Sequence, residues 1–115
     1  MSECYCDYDP AEFYHSEKRK ARKQHKCDEC DGVIQSGERY EHVRAKWEGD
    51  VGTYDTCARC LDLREFIMAH VPCVCWAHGN MIEDCIEAAQ ELAHETDGLL
   101  FGAYRRKVLI ERAKM

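Results

Sequence analysis

No stretch of this chain approaches the roughly 20 consecutive apolar residues that a membrane-spanning helix needs, so the sequence offers no such segment. The opening residues, Met1-Ser2-Glu3-Cys4, lack the charged and apolar regions of a secretory signal. The expectation is a cytoplasmic protein with reduced thiols. There is no repeat of solenoid length and no low-complexity tract. Positive charge is scarce outside one place: residues 18–26 hold six of the sixteen Lys and Arg residues, leaving ten against twenty-two acids elsewhere. A molecule so divided opposes wrapping by a long polyanion and confines any attraction for one to a short patch. Apolar residues are modest too, 45% with cysteine counted among them, and the mean hydropathy is −0.60. A core that small profits from an internal staple.

Cysteine is what the chain has in abundance, nine in 115 residues. The odd number is awkward for a closed disulfide framework, whereas close pairs suit a metal. Cys27-Asp-Glu-Cys30 and Cys57-Ala-Arg-Cys60 each let two thiolates curl onto one ion. Together Cys27, Cys30, Cys57 and Cys60 supply the four soft ligands of a tetrahedral zinc site. All four positions are then filled by sulfur, which leaves no place for a water and points to a structural ion rather than a catalytic one.

The segments around these pairs have a legible order. Gly32 follows Cys30 by two positions, where a knuckle turn needs a residue tolerant of positive φ. Residues 39–47 alternate, with Arg39, Glu41, Val43, Ala45 and Trp47 on one face and Tyr40, His42, Arg44 and Lys46 on the other. Residues 48–50 form a turn, and residues 51–56 return as the partner strand. Thr56 is placed to cap a helix whose first turn holds Cys57 and Cys60, at the positive end of the helix dipole. Leu61, Leu63, Phe66 and Ile67 give that helix an apolar side, and Val71-Pro72 ends it. Asn80, with Glu83 three residues on, starts a second helix with Ile82, Cys85, Ile86, Ala89, Leu92 and Ala93 at helical spacing. A last helix follows Gly98, with Phe101, Tyr104, Val108 and Leu109 expected inward. Knuckle, hairpin and helix in this order resemble the treble-clef class of zinc finger. The expected fold is thus α+β, a small treble-clef unit extended by two C-terminal helices. Residues 1–115 make a single zinc-binding domain: an N-terminal Cys and basic arm over 1–26, a core over 27–70 and a helical extension over 71–115.

Five cysteines remain. Cys85 falls in the apolar stripe of its helix and reads as a small buried hydrophobe. Cys4, Cys6, Cys73 and Cys75 form two Cys-x-Cys pairs able to hold a second zinc, with His78 as an alternative ligand in place of Cys73. One structural zinc is expected, and the thiol inventory allows two. His25 and His42 flank the first site in sequence, but that site is already complete.

Beyond the finger itself, several runs carry a wider resemblance. Cys-x-Cys-Asp near the start, Lys20-Ala21-Arg22-Lys23 with His25 before Cys27, Gly37-Glu38-Arg39-Tyr40-Glu41, and Cys75-Trp76-Ala77-His78-Gly79 are similar to short, uncharacterised phage-encoded proteins with a treble-clef zinc finger. The similarity covers roughly residues 4–90. It implies a bacterial host cytoplasm and metal binding, and it implies no activity.

Three functional readings follow from the residues. Lys18, Arg19, Lys20, Arg22, Lys23 and Lys26 can neutralise phosphates and release counterions, with Tyr40, Trp47 and Tyr54 as stacking faces if the hairpin is exposed. This gives a non-enzymatic, zinc-stabilised module that binds nucleic acid. The alternative is a protein-interaction module, such as a host-directed phage adaptor or inhibitor, whose dipolar surface steers association. The remote alternative is an enzyme, either a treble-clef nuclease recruiting His42 and His70 or a dithiol catalyst at Cys57 and Cys60. The return strand carries no histidine, which leaves a nuclease without its set. No small-molecule substrate and no membrane partner are expected, and homo-oligomer formation through the last helix is allowed.

Overall fold

The computed structural model describes residues 12–47, 49–71 and 74–113. Among the described residues the chain forms five strands and three helices: β1 (Phe13–Lys20), β2 (His25–Lys26), β3 (Val33–Ile34), β4 (Arg39–Trp47), β5 (Asp50–Cys57), α1 (Ala58–His70), α2 (Met81–Glu91) and α3 (Leu99–Ala113). The architecture is α+β, with an antiparallel sheet ordered β1-β4-β5 and a separate two-stranded ladder of β2 and β3. None of these helices is long and apolar enough to cross a membrane.

The alternation in β4 settles which face is covered. Glu41, Val43 and Ala45 are buried, whereas Arg44 on the other face is exposed. Gly49, at φ 86°, sits in the β4–β5 turn, a conformation open to glycine at no steric cost. Its N–H donates to Glu12 Oε1 at 3.2 Å. Beneath the covered face lies α1, whose Leu63 and Ile67 are fully buried. One buried cluster then joins the knuckle to all three helices, running through Cys27, Ile34, Tyr40, Leu63, Met81, Leu99 and Ile110.

Three local expectations are corrected. The basic segment is not an arm: Lys18, Arg19 and Lys20 belong to β1, which pairs with β4 along its whole length, Lys20 opposite Arg39 and Phe13 opposite Lys46. Alternation in β4 announced one partner strand, but a strand of exposed polar residues carries no apolar period to announce itself. Next, Cys57 rather than Thr56 is the N-cap residue of α1, and the buried Thr56 hydroxyl has no hydrogen-bond partner among the described residues. The chain stays in the ladder through Cys57, which pairs with Tyr40, so the helix begins one residue later.

The third correction concerns α3. Leu99, Gly102, Ala103 and Ile110 face inward, and Phe101 is 75% exposed, with Tyr104, Val108 and Leu109 also exposed. Close approach decides the phase of this helix. Gly102 lies against the Phe66 ring of α1, where even a Cβ would collide with it. Arg106, one turn on, lays its guanidinium 4.0 Å from the same ring. A larger residue at the contact would hold the helices apart, so Gly102 and Ala103 take the inward positions at the crossing and Phe101 and Tyr104 are left outside.

Candidate metal centre

The site is assembled from three elements. The β2–β3 ladder closes a tight knuckle: Cys27 N–H donates to Gly32 O at 2.8 Å and Asp31 N–H to Cys27 O at 2.9 Å. The residue with positive φ here is Asp31, at 61°, and not Gly32. Aspartate tolerates the left-handed region because its short side chain bonds locally. Gly32 keeps another task, aiming its N–H at Cys30 Sγ from 3.4 Å. The hairpin then delivers Cys57, whose N–H points at Cys27 Sγ from 3.3 Å. Cys60 enters from the first turn of α1, where unsatisfied N–H groups and the helix dipole favour negative charge.

These elements place the sulfurs of Cys27, Cys30, Cys57 and Cys60 within 4.8 Å of one another. Cys27 Sγ and Cys60 Sγ are 3.8 Å apart, and Cys30 Sγ and Cys57 Sγ 3.7 Å. A tetrahedron with metal–sulfur bonds of about 2.3 Å has edges of about 3.8 Å, which these two separations match, so the four could hold one metal ion. Exposure of the four cysteines is between 0 and 2%. Contact among the thiols pulls Cys30 far below the ordinary thiol range and, in return, pushes Cys60 far above it. Four thiolates this close cannot all ionise unaided; a cation in their midst replaces the protons that repulsion would otherwise retain.

The two spacer residues inside the first pair clasp the rest of the fold. Asp28 accepts from Asp55 N–H at 2.6 Å, and its own N–H donates to Asp55 O at 2.8 Å, tying the knuckle to β5. Glu29 reaches fifty residues along the chain, accepting from Gly79 N–H at 2.8 Å and from Met81 N–H at 3.1 Å. It thereby caps α2. Asn80, the N-cap residue by backbone position, instead donates its side chain to Asp84 at 2.9 Å. The local Asn-and-Glu box expected from the sequence is replaced by a capping carboxylate from a distant turn.

The histidines near the cluster serve other partners. His42 Nδ1 lies 2.7 Å from Asp55 Oδ1 and His25 Nδ1 3.7 Å from Asp55 Oδ2, while the His25 ring stacks on Tyr40 at 4.9 Å. His70 Nδ1 bonds Phe66 O at 2.8 Å, at the end of its own helix. Of the second thiol set, Cys4, Cys6 and Cys73 lie outside the described residues. Cys75 is disulfide-bonded. His78 stacks on Tyr54 at 4.6 Å and shares a 2.8 Å hydrogen bond with the Tyr14 hydroxyl. Cys85 is fully buried, and burial pushes its thiol up to about 12.

A second polar constellation was not anticipated from the sequence. Arg64 of α1 grips Glu41 of β4 through two bonds, Nη1 to Oε1 at 2.9 Å and Nη2 to Oε2 at 2.6 Å, with both side chains nearly closed to solvent. Ser16 donates to the same carboxylate at 3.0 Å, and the Arg64 guanidinium lies 4.7 Å from the Trp76 ring. The available signal was Glu41 itself, a charge on the buried face of an alternating strand, which has to find a partner.

Five of the six basic residues singled out line one groove. Lys18, Arg19, Lys20, Arg22 and Lys23 surround about 1020 Å³, with Glu17 as the one acidic lining residue among the described residues and His25 and Tyr40 lining it too. Lys18 pairs with Glu65 at 2.8 Å and Arg19 with Glu17 at 3.1 Å. Lys20, Arg22 and Lys23 have no carboxylate partner among the described residues. Lys26 stands outside the groove, 3.5 Å from Asp31. Tyr40 is buried and Trp47 and Tyr54 are partly buried against His78 and Tyr14, so these rings build the fold and are not open stacking platforms. No family model, curated protein or solved structure matches the chain.

Proposed function

We propose that the protein is a zinc-stabilised binding module of treble-clef type that contacts nucleic acid through its basic segment, without catalysis of its own. The basic groove is the observation that carries this reading. Five cationic side chains around one concavity with a single acid form an anion-binding surface in a chain that is otherwise acidic. The ion pairs to Lys18 and Arg19 are exposed, and exposed pairs of this kind are worth at most about 1 kcal/mol, so phosphates can displace them.

Zinc is the ion that an all-cysteine tetrahedron on a knuckle and a helix N-terminus suits best. A filled site carries about −2 in net charge, and the basic segment beside it offsets that charge. The order of knuckle, hairpin and helix supports the treble-clef assignment. With every coordination position taken by sulfur, the ion organises the fold and leaves no place for substrate.

A fluorescence anisotropy titration over a range of salt tests the reading. Binding should weaken steeply with salt, with a log–log slope of about −3 to −5. Replacing Lys20, Arg22 and Lys23 by alanine should flatten that slope by about 2. No binding to DNA or RNA at low salt would overturn the proposal. A second reading, a host-directed adaptor or inhibitor that binds protein, is favoured by one observation. The outer face of α3 exposes Phe101, Tyr104, Val108 and Leu109 together, an apolar stripe of the kind that marks protein contacts.

A further inference from the structure

The strand register sorts the residues of the sheet into rows, and one face of those rows is left to solvent. The row Arg19–Tyr40–Cys57 lies under the knuckle. Moving away from it, past the row Glu17–His42–Asp55, the rows His15–Arg44–Thr53 and Phe13–Lys46–Val51 run into the open. All six of these residues are exposed except Lys46, which is partly buried. Phe13 is 41% exposed, and the His15 side chain 69%.

Arg19 both lines the groove and stands in the first row, so it joins this face to the groove across the row of Glu17, ion-paired with Arg19, and of His42, bonded to Asp55. Beyond it the cations are Arg44, with no carboxylate partner among the described residues, and Lys46, held only by a 3.4 Å contact to the exposed Glu12. From Tyr40 to Lys46 is six strand residues, or about 20 Å at roughly 3.4 Å per residue. Two rings, Phe13 and His15, project from the edge strand beside these cations.

Resting on the nucleic-acid reading above, we propose that this open face takes a single strand, with Arg19, Arg44 and Lys46 along the phosphates and Phe13 and His15 stacking on unpaired bases. A duplex offers the groove its phosphates but keeps its base faces stacked inside. Only an unpaired strand can use cations and rings together, which is how sequence-tolerant single-strand binding works.

The test uses the full chain and two labelled probes, an oligothymidylate of about 12 residues and a duplex of equal length, with melting curves run on every variant. F13A/H15A should weaken oligothymidylate binding by at least about 30-fold and leave duplex binding unchanged, because stacking energy is lost only with unpaired bases. Phe13→Tyr, which keeps a ring, should retain affinity. R44A/K46A should flatten the salt dependence for the single strand by about 1.4 in log–log slope. If both double variants bind the two probes as the wild type does, while K20A/R22A/K23A is impaired, the open face is overturned and the groove reading stands. A wild type that prefers the duplex also overturns the inference. If the wild type binds neither probe, the groove reading falls as well.

Discussion

The cysteine cluster and the basic segment adjoin in the chain, yet they are held in opposite ways. At the cluster the four cysteines are 0 to 2% exposed, backbone N–H groups point at two of the sulfurs, and both spacer residues bond to distant strands and helices. In β1 every residue is exposed, and Lys20, Arg22 and Lys23 beside the groove have no carboxylate partner among the described residues. Groups whose partners are all in place hold a structure together. Groups left without partners, clustered and of one sign, are available to a ligand. The difference teaches that stability and binding reside in separate side chains, so each can be removed while the other is watched.

The largest effect should come from the cluster. Cys27→Ser or Cys60→Ser, or a strong chelator, should release the metal and unfold the knuckle, hairpin and α1, as seen by loss of metal content and of the cooperative melt. Structural zinc contributes about 10–16 kcal/mol in small fingers, as much as a whole domain's net stability of about 5–15 kcal/mol. A serine variant that keeps its metal and its melting temperature would erase the contrast.

Next in size is the buried ion pair, which carries stability with no metal involved. Arg64→Met strands Glu41 in the interior and should cost about 3–5 kcal/mol in urea unfolding. The pair also sets a pH dependence. Burial raises the Glu41 carboxyl, but the Arg64 guanidinium, together with the Ser16 hydroxyl and His78, outweighs it and holds the group below its ordinary range. A folded pKa below the unfolded value of about 4.3 means that the stabilisation is complete above that value. It is lost as pH falls through the folded pKa. Acid titration should therefore destabilise the wild type more than Glu41→Gln, and parallel curves would contradict this.

Glu29→Ala should cost less, about 1–3 kcal/mol, by leaving the Gly79 and Met81 N–H groups without their acceptor. Hydrogen exchange should rise first at the start of α2, with metal content unchanged. That outcome would separate the spacer's clasp from the ligands on either side of it. The smallest effect on stability belongs to the basic segment. K20A/R22A/K23A should melt within about 0.5 kcal/mol of the wild type, and a large destabilisation would mean that these side chains are structural after all.

How much of this was legible in the sequence follows from the range of the interactions involved. The quartet Cys27, Cys30, Cys57 and Cys60 was legible because metal-ligand spacing is local, and the hairpin because β4 alternates with period two. The buried side of α2 was legible from Cys85, Ile86 and Ala89. The phase of α3 was not. Phe101 and Val108 look like core residues until Gly102 is seen to admit Phe66 at close range, and that fact belongs to the pair of helices rather than to either one. Strand β1 was hidden for a related reason, since exposed residues leave no apolar rhythm and its partner residues lie 19 to 33 positions away. Glu29, Glu41 and Arg64 carried charge in plain sight, but what each one holds is fixed only by tertiary contact.

The central claim is that a metal-organised scaffold presents the basic surface, so metal should control binding only through folding. Zinc titrated into chelated protein, with backbone NMR of the knuckle and anisotropy of a labelled oligonucleotide followed in one series, tests this directly. The account predicts that the folding and binding signals rise together and saturate at the same point. Full-affinity binding by the metal-free protein, or a folded metal-bound knuckle that binds nothing at low salt, would contradict it.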